Sequence, residues 1–88
     1  MNTTWRHELT QAMMVAEGLK IEDAESCTLT DEELDVEFYA GFGSPNGKRF
    51  TLWTKNKVYF PVCYDGAEYV GCASRNPDGK PTEHIGGW

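Results

Sequence analysis

Three cysteines and two histidines carry the sharpest chemistry in this chain: Cys27, Cys63, Cys72, His7 and His84. A thiolate nucleophile needs a histidine beside it and a third group to orient that base. His7 and His84 lie near opposite ends of the chain, and Glu83-His84 is a local pair in a loop-rich tail. There is no Cys-x-x-Cys, and the spacing offers no zinc set. An odd number of cysteines argues against a secreted disulfide framework and predicts buried free thiols in a reducing cytoplasm. The segment GFGSPNG, residues 41–47, shares only its glycines with a phosphate loop. It lacks the GK[ST] ending and a buried parallel strand before it. Carboxylates are plentiful, but general acid–base work needs a cleft that shifts their pKa values. The expectation is a non-enzymatic domain with no catalytic residue, no metal and no cofactor.

What remains is charge. Glu22, Asp23, Glu25, Asp31, Glu32, Glu33, Asp35 and Glu37 are eight of the fourteen acids, and no Lys or Arg occurs between Lys20 and Lys48. Two readings compete. One is a solvated, capped connector. The other is an acidic surface for a basic protein partner, such as the Lys- and Arg-lined groove of a nucleic-acid-binding complex. In the second reading Asp31, Glu32, Glu33, Asp35 and Glu37 supply the charge, and Trp53, Tyr59 or Trp88 supply aromatic anchors. The same charges, and a net charge of −6, disfavour direct binding of nucleic acid.

These residues need a frame, and Lys48–Ala73 provides it. It holds six of the eleven aromatic residues and reads as a three-stranded antiparallel meander, with strands at about 49–54, 57–64 and 67–73. Asp65-Gly66 is a type I′ hairpin signal, and Lys55-Asn56 a weaker turn. Two-residue loops pair Tyr64 with Ala67, Val62 with Tyr69, Phe60 with Gly71, Val58 with Ala73, Trp53 with Val58 and Thr51 with Phe60. One face then carries Thr51, Trp53, Val58, Phe60, Val62 and Tyr69. The other carries Phe50, Leu52, Tyr59, Pro61, Cys63, Val70 and Cys72. Neither face is polar, so the sheet needs two covers, or one cover and a partner. Cys63 and Cys72 share a face about 13 Å apart along the strands, too far to bridge. Pro61 cannot donate a ladder bond, so it marks either a bulge or an edge.

Thr4 caps a helix over residues 5–17, with Trp5, Leu9, Ala12, Met13 and Ala16 on one stripe and Gly18 at its left-handed end. About 13 residues cannot hold a helix in water, so it must dock on the sheet. An acidic connector over 20–34 follows. Thr30-x-x-Glu33 is a capping box opening one helical turn at 31–34. Leu34, Val36, Phe38 and Ala40 alternate like a strand over about 35–40, which residues 41–47 would join to 48–54 as a fourth strand. Residues 74–88 form a loop-rich tail whose Trp88 either folds back on the open face or anchors a contact. The whole is one α+β domain, residues 1–88: an N-terminal helix on a three- to four-stranded antiparallel sheet. No apolar signal core or membrane-length run is present, so a cytoplasmic protein is expected.

The string WTKNKVYFPVCYDGAEYVGCASRNP, with the upstream TLTDEELDVEFYAGFG and the closing HIGG, resembles a group of small bacteriophage- and prophage-encoded proteins. Their pattern is near W-T-x-x-x-V-Y-F-P-x-x-Y-D-G-x-E-[WY]-V, and the likeness covers about residues 28–87. It implies a setting in a bacterial host and carries over no site residues. By analogy with small acidic anti-CRISPR proteins, that setting implies an inhibitor of a host-defence nucleoprotein complex in which the acidic run stands in for phosphates. Two alternatives are a self-associating structural or scaffold domain, a homodimer through the second sheet face, and a small-molecule sequestering protein with aromatics and Arg49 or Arg75 around a pocket.

Overall fold

Thr4 opens the first helix as expected: its backbone is extended and its hydroxyl accepts the N–H of His7 at 3.1 Å. This satisfies one of the donors a helix start leaves free. The helix, α1, runs Trp5–Glu17 and ends at Gly18 in the left-handed conformation (φ 69°). There the N–H of Gly18 bonds the carbonyl of Met14 and the N–H of Leu19 that of Met13. The computed structural model describes residues 2–41 and 45–84. The rest of its order is β1 (Asn2–Thr3) before the helix, a 3₁₀ turn (Ile21–Asp23), β2 (Ser26–Cys27), α2 (Asp31–Leu34), β3 (Phe38–Tyr39), β4 (Leu52–Trp53), β5 (Lys57–Tyr64) and β6 (Ala67–Ser74).

The fold is α+β, with α1 against an antiparallel sheet in the order β2-β4-β5-β6 and a second ribbon pairing β1 with β3. The β5–β6 hairpin has the expected register, Tyr64 opposite Ala67 through Val58 opposite Ala73. Its turn takes positive φ at both Asp65 (51°) and Gly66 (85°), as a type I′ turn requires. Trp53 lies opposite Val58.

Burial separates the two faces. Phe50, Leu52 and Tyr59 are buried beneath Trp5, Leu9 and Met13 of α1, with Val70 and Cys72 packed at the margin. Trp5 fills the end of this core, its ring 4.6 Å from that of Phe38 and 4.8 Å from that of Phe50. Its indole N–H donates to the carbonyl of Lys48 at 2.9 Å. On the opposite face Trp53, Val58, Phe60, Val62 and Tyr69 are half-buried.

Four expectations are corrected. First, the fourth strand of the sheet is β2, inside the segment read as a connector, and not the segment 35–40. Residues 35 and 36 still bond back to Glu32 and Glu33 as the end of α2. Only Phe38–Tyr39 is extended, and it pairs with Asn2–Thr3. Leu34, Phe38 and Ala40 point inward but Val36 is exposed, so the expected alternation breaks where a helical turn runs into a short strand. Second, the first meander strand is short. The ladder covers Leu52–Trp53, flanked by bonds from Glu25 N to Trp53 O and from Thr28 N to Thr51 O. Third, Cys63 is exposed, while Cys27 and Cys72 are half-buried. Fourth, Tyr59 is 0% exposed. It is core and offers no anchor to a partner.

Pro61 resolves in favour of the edge. It sits opposite Val70 in an unbroken ladder, with no bulge. Lys57 faces β4 with both backbone groups, through Thr54 N to Lys57 O and Lys57 N to the Thr54 hydroxyl. By alternation position 61 also faces the β4 side. Pairing with β4 ends at Tyr59, so no ladder bond is lost.

Candidate functional site

The acidic segment is built in three short pieces, the first and last closed by their own acids and the middle one by strand pairing. The 3₁₀ turn is closed by Asp23, whose Oδ2 accepts the N–H of Lys20 at 2.9 Å. β2 then runs along β4, Ser26 opposite Trp53. α2 opens with the expected capping box: the Thr30 hydroxyl accepts the N–H of Glu33 at 3.1 Å, and Glu33 Oε1 accepts the N–H of Thr30 at 3.0 Å.

Cations from distant parts of the chain fold onto these acids. Arg6 of α1 grips Asp35 with two nitrogens, Nε at 2.6 Å from Oδ1 and Nη2 at 3.3 Å from Oδ2. It also reaches the carbonyl of Asp31 at 3.3 Å and its carboxylate at 3.4 Å. The hydrogen bond to Asp35 is the main reason the guanidinium is pushed further toward its charged form. Lys48 pairs with Glu33 and holds its carboxyl below the usual range, with help from the backbone of Thr30. Arg75 pairs with Glu25 and donates to the carbonyl of Thr54 at 2.9 Å. Glu22, Glu32 and Glu37 are exposed and make no ion pair among the described residues.

Of the predicted site residues, Asp31, Glu32, Glu33, Asp35 and Glu37 all lie on α2 and the chain leaving it, but Asp31 lines the groove beside Arg6 while Glu33 and Glu37 line another hollow beside Lys48, and Asp31, Glu33 and Asp35 are occupied with structural cations. Trp53 is half-buried on the sheet face away from α1 and pairs through its backbone with Ser26 of the acidic segment. Tyr59 lies in the core, and Trp88 lies outside the described residues. Reading a stretch with no Lys or Arg as uncompensated charge missed Arg6, Lys48 and Arg75, because their compensation comes from outside the window.

Between the 3₁₀ turn, β2 and α2 lies an open groove of about 560 Å³. Leu29, Leu34 and Leu52 form its floor, and Glu22, Glu25 and Asp31 line it together with Arg6. An apolar floor under a rim richer in acid than base suits a cationic side chain on an aliphatic stem, such as Lys or Arg. His7 and His84 are exposed. Among the described residues no three His, Cys, Asp or Glu side chains converge as a metal site would require, and no helix is long and apolar enough to cross a membrane. No protein-family model, curated protein or solved structure matches this chain.

Proposed function

We propose that this chain is a non-enzymatic, phage-encoded protein that binds a basic surface of a host-defence nucleoprotein complex, of CRISPR-Cas type, and inhibits it by occupying the path of a nucleic-acid backbone. The single observation behind this reading is the groove edged by the acidic segment, lined by Glu22, with Glu32 and Glu37 further along the segment; all three are exposed and unpaired among the described residues. Structural pairs with Arg6, Lys48 and Arg75 fix the backbone that displays those three carboxylates. A rigid display lowers the ordering cost a partner must meet. Eight acids against Lys20 and the three cations that fold onto them leave the segment four charges negative, enough to steer a cationic groove toward it at low salt.

Affinity capture with the full chain from a phage-infected or prophage-bearing bacterial host tests the proposal. The expected result is recovery of a nucleic-acid-binding effector, and its release by added DNA or RNA competitor. Recovery of no such effector, or recovery of one that nucleic acid does not displace, overturns it.

A further inference from the structure

β6 is the outer strand of the sheet and runs eight residues, Ala67–Ser74. Long edge strands are normally blunted by Pro, Lys, a bulge or a covering element, because their unpaired N–H and C=O groups invite another strand. β6 contains no Pro and no Lys, and it pairs residue for residue with β5 without a bulge; its one charged residue, the buried Glu68, lies toward the hairpin end and leaves Val70–Ser74 without such a guard.

Alternation identifies its free groups. Val58, Phe60, Val62 and Tyr64 face β6, so their opposites Ala73, Gly71, Tyr69 and Ala67 bond inward. Val70 and Cys72 then direct their N–H and C=O outward, and they have no backbone partner there among the described residues. Beside them, between β6 and α1, is a hollow of about 380 Å³. Ala12, Val15, Ala16, Val70 and Cys72 line it, and Val15 is 88% exposed. Among the described residues Glu8 is its only charged lining residue, and that carboxylate accepts the hydroxyl of Thr3 at 2.7 Å.

We propose that β6 pairs antiparallel with β6 of a second copy of this chain. The two-fold axis runs perpendicular to the sheet beside Gly71. Val70 then exchanges both backbone bonds with Cys72 of the partner subunit, and Cys72 does the same with Val70 of the partner subunit. Gly71 meets its counterpart at the close, non-hydrogen-bonded position, where a missing side chain permits approach. This axis keeps both α1 helices on one side, so Val15 and Ala16 of each copy fill the other's hollow. A second copy fits better than an unrelated strand for an electrostatic reason. On a chain of net charge −6 this flank is nearly free of charge, so two like molecules can meet on it without repulsion. The result is a continuous eight-stranded sheet with β2 and the acidic segment at each outer end.

Sedimentation equilibrium of the full chain over a rising concentration series tests this. The expected mass is twice the 9.9 kDa of one chain. Val15→Lys changes an exposed side chain, and Val70→Pro removes an N–H that takes no part in the β5 ladder; both variants are expected at half that mass with an unchanged far-UV spectrum. Amide exchange at Val70 and Cys72 is expected to be slow in the wild type and fast in Val15→Lys. A wild type that remains monomeric across the series overturns the proposal. So does a dimer that Val15→Lys leaves intact with these amides still exchanging fast.

Discussion

Arg6 and Asp35 are 29 residues apart in sequence and joined by two nitrogen–oxygen contacts, the shorter 2.6 Å. The pair ties the first turn of α1 to the end of α2, and so fixes where the acidic segment sits. Its side chains are 35% and 59% exposed, which limits its energy through solvent screening. A double-mutant cycle with Arg6→Ala and Asp35→Ala is expected to give a coupling of about 0.5–1 kcal/mol that shrinks in high salt. Chemical denaturation of the four proteins measures it.

Glu17, the last residue of α1, holds the helix to the sheet from its other end. It accepts the hydroxyl of Tyr59 at 2.7 Å and that of Thr54 at 2.8 Å. Tyr59→Phe leaves a carboxylate short of a donor in a half-buried site, and a loss of about 1.5 kcal/mol is expected. Burial, then the neighbouring Glu17, pushes the Tyr59 phenol well above its ordinary value of 10.0. The unfolded chain therefore loses this proton first, so the stabilisation is full below about pH 10 and declines as pH rises beyond it. Thermal melts between neutral and strongly alkaline pH should show this decline in the wild type, and a smaller one in Tyr59→Phe.

Much of this frame was legible in the residues because its signals are local. Thr4 and Gly18 mark both ends of α1, and Asp65-Gly66 sets the register of eight consecutive pairs. The strands β1, β2 and β3 are two residues each and carry no periodicity of their own. They are extended because distant segments pair with them. The same is true at Glu68, where a strand residue reaches inward to accept the N–H groups of Asn46 and Gly47, both at 2.8 Å. Nothing in the string AEYVGCAS distinguishes that carboxylate from a solvated one. The acidic site was legible as charge, but its three structural cations were not, since they arrive from positions 6, 48 and 75.

Gly47 meets the edge of Trp5 so closely that a Cβ there would lie 2.6 Å from Cζ2. Trp5 is 1% exposed and held by Lys48, so it has little room to yield. Gly47→Ala should therefore cost ~1–3 kcal/mol through displacement of the indole. A red shift of tryptophan fluorescence together with a lower denaturation midpoint would register it, and an unchanged midpoint would show that the ring can move.

Glu33→Gln probes the acid side of stability. Lys48 and Thr30 depress the Glu33 carboxyl below its ordinary value of 4.5. That stabilisation is present above about pH 4.5 and declines as pH falls through the depressed value. The expected outcome is a shallower loss of stability on acidification in Glu33→Gln than in the wild type, read from melts between neutral pH and pH 3.

The most direct measurement is binding of the captured effector at low salt by the wild type and by a Glu22→Lys, Glu32→Lys, Glu37→Lys triple variant. These three acids are exposed and outside every ion pair among the described residues, so the fold is expected to survive their reversal. The account predicts a loss of affinity of more than about tenfold, and a wild-type affinity that itself falls steeply as salt rises. An unchanged affinity in a variant with an unchanged far-UV spectrum would contradict it.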